Sequence, residues 1–202
     1  MINARPMDDP VYIVTDIECD GPTPGANSMI AFASVAVTAD GAVQGVFEAV
    51  LAPLPGAAGD PDTLAWFATQ PEAWAAATTD PQAPAQVMAD YADWVRGFPM
   101  GRVFAANPLA FDGVWIDHYL RRFTPFGLVE GHYAKDRLFD GLGLCLSSFA
   151  AGVLGRDPWA CGPAHLPPEW LGNHEHTHKA IDDARGYAHL LGVLMGMARA
   201  GR

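Results

Sequence analysis

The sequence predicts an α/β fold, a sheet flanked by helices, on three observations. Residues 11–18 form a short apolar run rich in Val and Ile, which is typical of a strand buried on both faces. Residues 28–54 continue as two further strand-like runs separated by a turn. From residue 61 the hydrophobic period changes to that of helices, with one more strand-like run at 101–106.

The front of the chain is expected to be an antiparallel meander. Turn-forming residues at 20–27 separate the first strand from a second at 28–38, and a turn at 39–41 leads into a third at 42–54. Strands joined by such short connections are usually antiparallel neighbours.

Helices are expected to dominate the rest of the chain. Two short ones, divided by Pro71, precede a longer amphipathic helix at 81–98. After the strand at 101–106, another helix should run to about Arg122. The last element is an Ala-, Leu- and Met-rich helix at 180–200.

The segment before that last helix is expected to contain a short strand, a helix and a long loop. A short strand is expected at 138–140, with Asp140 as the N-cap of a helix at 141–153. Residues 156–173 are rich in Pro and Gly and long for a loop, which indicates a segment that faces a substrate or a partner.

Composition and charge limit the possible functions. Half of the 202 residues are hydrophobic and 17% are charged, which describes a globular protein. No apolar run approaches the roughly 20 residues of a membrane span, and no signal peptide is evident, so we expect a cytoplasmic protein with three reduced cysteines. A net charge of −11 argues against binding long nucleic acid through many Lys and Arg contacts, but it is compatible with a site whose positive charge comes from metal ions.

Two acids end the first strand. Side chains alternate along a strand, so Asp16 and Glu18 should point the same way. At about 4 Å two such charges repel by roughly 4 kcal/mol at an effective dielectric near 20, and a divalent cation removes that cost. The alternative is a strand that simply runs out into the polar turn at 20–22.

Two further acids begin apolar helix stripes. Asp112 precedes an inward stripe that begins with Trp115 and Ile116. Asp183 begins the apolar face of the last helix. Asp182 begins a more polar face and is expected to pair with Arg185.

A histidine completes this pattern of acids. His178 lies five residues before Asp183 and must therefore be on the loop before the helix. His174, His176 and His178 alternate, which raises the alternative of a zinc site. Because no Cys lies nearby and the acids are elsewhere, we expect His174 and His176 to be solvated.

The chain carries three motifs in order: an Asp-x-Glu strand, an acid on a mid-chain helix and a His-x4-Asp motif. This pattern resembles the DEDDh exonucleases, which include proofreading exonuclease subunits, ribonuclease T and oligoribonuclease. The resemblance runs from residue 13 to about residue 191 and implies a ribonuclease H-like fold with a central mixed sheet flanked by helices. It also implies a catalytic set made up of Asp16, Glu18, Asp112, Asp183 and His178.

The resemblance implies a two-metal mechanism with Mg²⁺ or Mn²⁺. Asp16 would bridge the two ions, Glu18 and Asp183 would complete the first, and Asp112 would support the second through water. His178 would take the proton of the attacking water, since a pKa of about 6.5 suits a general base.

Three further positions are expected to contact substrate. Phe111 could stack on the terminal base. Asn107 lies five residues before Asp112, where members of the family commonly have Asn four before, and Cys19 follows Glu18 where Thr is frequent. Both departures concern how the terminal nucleotide is held.

The implied function is phosphodiester hydrolysis by a single exonuclease domain at 11–202 behind an N-terminal extension at 1–10. It would release nucleoside 5′-monophosphates from 3′ ends of single-stranded RNA or DNA, with RNA slightly favoured. The alternative is a proofreading or accessory module that binds a polymerase or another partner. Dimerisation is common among the resembled enzymes, so a homodimer stays open.

Overall fold

The computed structural model describes residues 9–131 and 134–201, and so most of the expected N-terminal extension lies outside the described residues. Its centre is a five-stranded sheet with the order β3-β2-β1-β4-β5. The strands are β1 (Val11–Cys19), β2 (Met29–Val37), β3 (Val43–Val50), β4 (Arg102–Ala106) and β5 (Leu144–Cys145). The first three form the predicted antiparallel meander, and β4 and β5 run parallel to β1, which confirms the mixed sheet.

Helices cover both faces of the sheet. They are α1 (Pro61–Phe67), α2 (Pro71–Thr78), α3 (Pro84–Arg96), α4 (Leu109–Phe123), α5 (Leu146–Leu154) and α6 (Ala180–Ala200). Proline occupies the first position of α1, α2 and α3, where its missing N–H costs nothing. None of the described helices combines the length and hydrophobicity needed to cross a membrane.

The two faces of β1 belong to different parts of the core. Ile13 and Ile17 pack with the buried sides of α3 and α4, including Tyr91 and Trp115. Val14 faces the other way and packs with α6. The first strand is therefore buried on both faces, as its apolar sequence predicted.

Small side chains bring α6 close to the sheet. Ala180, Ala184 and Ala188 recur every four residues and pack in one cluster with Val14 and Ala33. Alanine leaves little side-chain bulk between helix and strands, so the beginning of α6 lies beside the carboxyl-terminal half of β1.

The expectations for residues 138–153 are wrong in position. The strand lies at Leu144–Cys145, and the helix begins at Leu146 rather than at 141. Gly141 and Gly143 have φ of +86° and +79°, so the chain turns where the helix was expected. Asp140 is not the N-cap, since its Oδ2 accepts a hydrogen bond of 3.1 Å from the N–H of Arg102.

The Pro-rich segment at 156–173 is folded onto the helices. It forms three short 3₁₀ turns, at Pro158–Cys161, Pro163–His165 and Pro168–Leu171. Cys161 packs in one cluster with residues of α5 and α6, whereas Trp159 is 78% exposed. One aromatic side chain of this segment is therefore available to solvent.

Candidate active site

Asp16 and Glu18 lie at the end of β1 and share the face that α6 covers. Their partners on β2 are Ala33 and Ala31, whose side chains are small. The two acids are only 8% and 9% exposed. The strand therefore holds both carboxylates side by side in a largely dry position, as its alternation predicted.

Asp112 reaches the same place from the other side of the sheet. Because β4 is parallel to β1, with Ala106 opposite Thr15, the residues that follow β4 emerge beside Asp16. Helix α4 begins three residues before Asp112, so the acid lies in its first turn, where the helix dipole favours negative charge. Asp112 is 3% exposed, and its Oδ2 has no hydrogen-bond partner in the part of the chain that the structure describes.

Asp183 is the inward acid of the C-terminal pair, as the helix spacing predicted. It lies in the first turn of α6 and is 4% exposed. The expected pairing of Asp182 with Arg185 is wrong. Within the described residues Asp182 makes no ion pair with Arg185, and its Oδ2 accepts a hydrogen bond of 2.9 Å from the Thr177 hydroxyl. The loop before α6 supplies this nearer donor.

The four acids form one electrostatic group. Oxygen atoms of Asp16, Glu18 and Asp183 all lie within 4.8 Å of one another. Burial raises the pKa of Glu18 to about 8, and Asp183 and Asp112 add to the shift. Burial also raises the pKa of Asp112 to about 7. The pKa of Asp16 is raised well above its usual value by burial and then by the charges of Asp112, Glu18 and Asp183.

This arrangement fits divalent metal ions. The four buried carboxylates repel one another when they are ionised, and a nearby cation would stabilise their charged forms. Carboxylate oxygens are the ligands that Mg²⁺ and Mn²⁺ prefer. The buried Oδ2 of Asp112, which lacks a protein donor among the described residues, is the kind of atom that a metal or its water satisfies.

His178 lies on the loop before α6, as predicted. Its φ of +55° is in the left-handed region that residues other than glycine seldom adopt. The ring packs edge-on against Trp66 of α1, with 4.9 Å between centroids. Burial and the neighbouring His176 lower the pKa of His178, although Asp183 opposes them.

His176 is more than a solvated loop side chain. It is 47% exposed, yet its Nδ1 lies 2.9 Å from Oδ2 of Asp183. This contact raises the pKa of His176. Its alternation with His178 was visible in the sequence, but the position of the acid beside it was not. The contact of Trp66 with His178 had no sequence signal.

The three expected substrate contacts have different surroundings. Phe111 is 42% exposed beside Asp112. Asn107 is buried, and its Oδ1 contacts the hydroxyl of Ser147, while its Nδ2 has no partner within the described residues. Cys19 is half-buried, and burial raises the pKa of its thiol to about 12. Cys19 is therefore a neutral thiol and not a nucleophile at neutral pH.

No family model matches the chain, and no curated protein matches it. Several solved structures are similar to the chain. The zinc-bound complex of E. coli ExoI with single-stranded DNA has a TM-score of 0.63 at 16% identity, covering 96% of this chain and 41% of its own. A 3′-exonuclease that recognises the 3′ end of a histone mRNA stem-loop has a TM-score of 0.64 at 10% identity, with coverages of 97% and 84%.

A third similar structure is the nuclease domain of 3′hExo, described as a DEDDh family member and bound to rAMP. It has a TM-score of 0.63 at 13% identity, covering 96% of this chain and 94% of that domain. The chain thus spans about two-fifths of ExoI but most of the other two proteins. At these identities the likeness establishes the fold, and the prediction of the α/β fold of DEDDh exonucleases is confirmed.

Proposed function

We propose that the protein is a metal-dependent 3′–5′ exonuclease that releases nucleoside 5′-monophosphates. The observation that carries this proposal is the buried group of acids: oxygen atoms of Asp16, Glu18 and Asp183 lie within 4.8 Å of one another, and the buried Asp112 is near enough for its charge to raise the pKa of Asp16. The fold shared with exonucleases supports it. Burial destabilises the charged forms of these acids, and a bound cation would offset that cost.

Asp16, Glu18, Asp112 and Asp183 would hold two Mg²⁺ or Mn²⁺ ions. When bound, such ions activate water and stabilise the charge that develops on the phosphate and the leaving oxygen. The chain's own contribution is to fix the ligands. Asp16 and Glu18 are held by a central strand, and Asp112 and Asp183 by the first turns of two helices packed on opposite faces of the sheet.

His178 is the proposed general base. A lowered pKa keeps its ring neutral, and so able to accept a proton from water, at neutral pH. Its loop position allows the ring to approach or leave the carboxylates when substrate binds. Trp66, packed on the ring edge, restricts the orientations of His178.

We propose single-stranded or short nucleic acid as the substrate, with RNA slightly favoured. The net charge of −11 supports a short contact with the phosphate backbone. Phe111 is exposed enough to stack on the terminal base, and Asn107 and Cys19 would line the place of the terminal nucleotide. In this proposal residues 11–202 act as one catalytic domain.

One observation favours a second candidate, an accessory proofreading module held by a partner protein. Trp159 is 78% exposed on the Pro-rich segment, and an exposed Trp is typical of the centre of a protein interface. The two candidates differ in what the isolated protein does, since an exonuclease shows multiple turnovers alone.

The test is digestion of matched single-stranded RNA and DNA oligomers, labelled at the 5′ end, with Mg²⁺ or Mn²⁺. We expect stepwise shortening from the 3′ end, release of 5′-monophosphates and no activity in EDTA or in Asp16→Asn. Asp62→Asn, an exposed acid of α1, is the matched control and should keep the wild-type rate. Internal cleavage, or full activity of Asp16→Asn, would overturn the proposal.

A further inference from the structure

Three side chains around the start of α6 form a cluster that offers nitrogen as well as oxygen ligands, whereas the four acids offer oxygen alone. Asp183 belongs to both groups. One ligand atom each of His176, His178 and Asp183 lies within 4.8 Å of the other two. The rings of the two histidines are in edge contact, with 4.4 Å between centroids. We propose that these residues form a second metal site, which selects a transition-metal ion such as Zn²⁺ and inhibits the enzyme when occupied.

The donor set carries the selectivity. Two imidazole nitrogens and one carboxylate oxygen suit Zn²⁺, whereas Mg²⁺ prefers oxygen ligands alone. Tetrahedral Zn²⁺ at about 2.0 Å from each ligand requires about 3.3 Å between ligand atoms. The ligand atoms of His176 and Asp183 are 2.9 Å apart and would have to open slightly. The ligand atom of His178 lies within 4.8 Å of both, so it would have to approach by at most about 1.5 Å.

The surroundings of the cluster are those of a ligand site open on one side. Asp183 is buried, and its other oxygen accepts a hydrogen bond of 3.3 Å from the N–H of Thr177, which orients the carboxylate. The side chain of His176 is 47% exposed, so an ion has access from solution. Three protein ligands leave the fourth tetrahedral position to water.

Inhibition is expected because the cluster shares His178 and Asp183 with the proposed active site. The prediction of inhibition rests on the proposed function. A nitrogen that ligates a metal has no lone pair left to accept a proton, so His178 could not act on the attacking water. Asp183 would also be drawn toward the zinc ion and away from the other carboxylates. The same two residues thus serve either hydrolysis or zinc binding.

The binding test uses Zn²⁺, and Co²⁺ as its coloured substitute, added to untagged, metal-stripped protein in millimolar Mg²⁺. We expect one tight Zn²⁺ per chain and a visible Co²⁺ spectrum of low coordination number. His176→Ala should weaken Zn²⁺ binding at least about tenfold. His174→Ala, which changes the neighbouring loop histidine outside the cluster, should bind Zn²⁺ as wild type does. Asp16→Asn, which changes a carboxylate outside the cluster, should retain tight Zn²⁺ binding.

Two results would overturn the proposal: equal Zn²⁺ affinity in His176→Ala and wild type, or loss of tight binding in Asp16→Asn with retention in His176→Ala. The second would place the ion among the carboxylates. In the activity assay, with each variant compared to its own rate without zinc, inhibition should need more Zn²⁺ in His176→Ala than in His174→Ala. If the protein hydrolyses nothing, the binding result still decides the metal site.

Discussion

Asp182 and Asp183 are neighbours in the chain but lie in different surroundings. Asp183 is buried among the other acids, whereas Asp182 bonds to Thr177 at the helix start. The helical period alone separated them, because only Asp183 continues into the apolar stripe. The partner of Asp182 was mistaken, because the loop donor depends on a backbone conformation that the sequence does not reveal.

This pair gives a matched mutational test. Asp183→Asn removes a proposed metal ligand and should lower the exonuclease rate at least about a hundredfold. Asp182→Asn removes a charge outside the proposed metal site, keeps an oxygen that can accept the Thr177 hydrogen bond, and should stay within a few-fold of wild type. The measurement is the initial rate on a single-stranded oligomer at saturating Mn²⁺. Equal losses in the two variants would contradict the choice of Asp183.

The role of His178 predicts a pH dependence. Its pKa is lowered from 6.5 by burial and by His176, so the neutral form is complete at a lower pH than for a free imidazole. The wild-type rate should rise with pH through a midpoint below 6.5 and then level off. His178→Ala should lose about 10²- to 10⁴-fold and lose this acidic limb. If the rate of His178→Ala still rises with pH over the same range, a group other than His178 is responsible for that rise.

The strongly periodic helices and strands were predictable from the sequence, and the connections between them were not. The first strand and the last helix were predicted within a residue, because period and length agreed. The start of α5 was missed, because Gly141 and Gly143 turn the chain there. The contact of Trp66 with His178 joins α1 to the loop before α6, which is tertiary information.

The alanine stripe of α6 is the element that sets the position of Asp183. Ala184 is fully buried against the sheet, one residue after that acid. Ala184→Leu should force the helix outward, cost about 1–3 kcal/mol of stability and lower activity by displacing the carboxylate. Thermal unfolding together with the exonuclease rate would measure both effects. Ala198→Leu near the exposed end of α6 is the control, and equal effects of the two changes would contradict this role.

The buried acids make the stability of the folded protein depend on pH and on bound metal. The pKa values of Glu18 and Asp112 are raised to about 8 and about 7, so the metal-free folded state holds protons that the unfolded chain releases above about pH 4.5. Folding is then favoured at low pH, and stability falls as the pH rises toward 8.

The corresponding measurement is the melting temperature of metal-free protein from pH 5 to pH 8. We expect it to fall over this range, and we expect Mn²⁺ to raise it far more at pH 8 than at pH 5, since the ion binds the ionised carboxylates. Glu18→Gln should flatten the dependence. A melting temperature that rises steadily with pH in the absence of metal would contradict the electrostatic account of the site.

Anomalous scattering from crystals containing Mn²⁺ would show whether acids distant in the chain bind divalent cations together. We expect two anomalous peaks about 3.5–4 Å apart, one of them shared by Asp16 and Asp183. Crystals in which Mn²⁺ binds elsewhere, with no peak between those two carboxylates, would rule out this metal site.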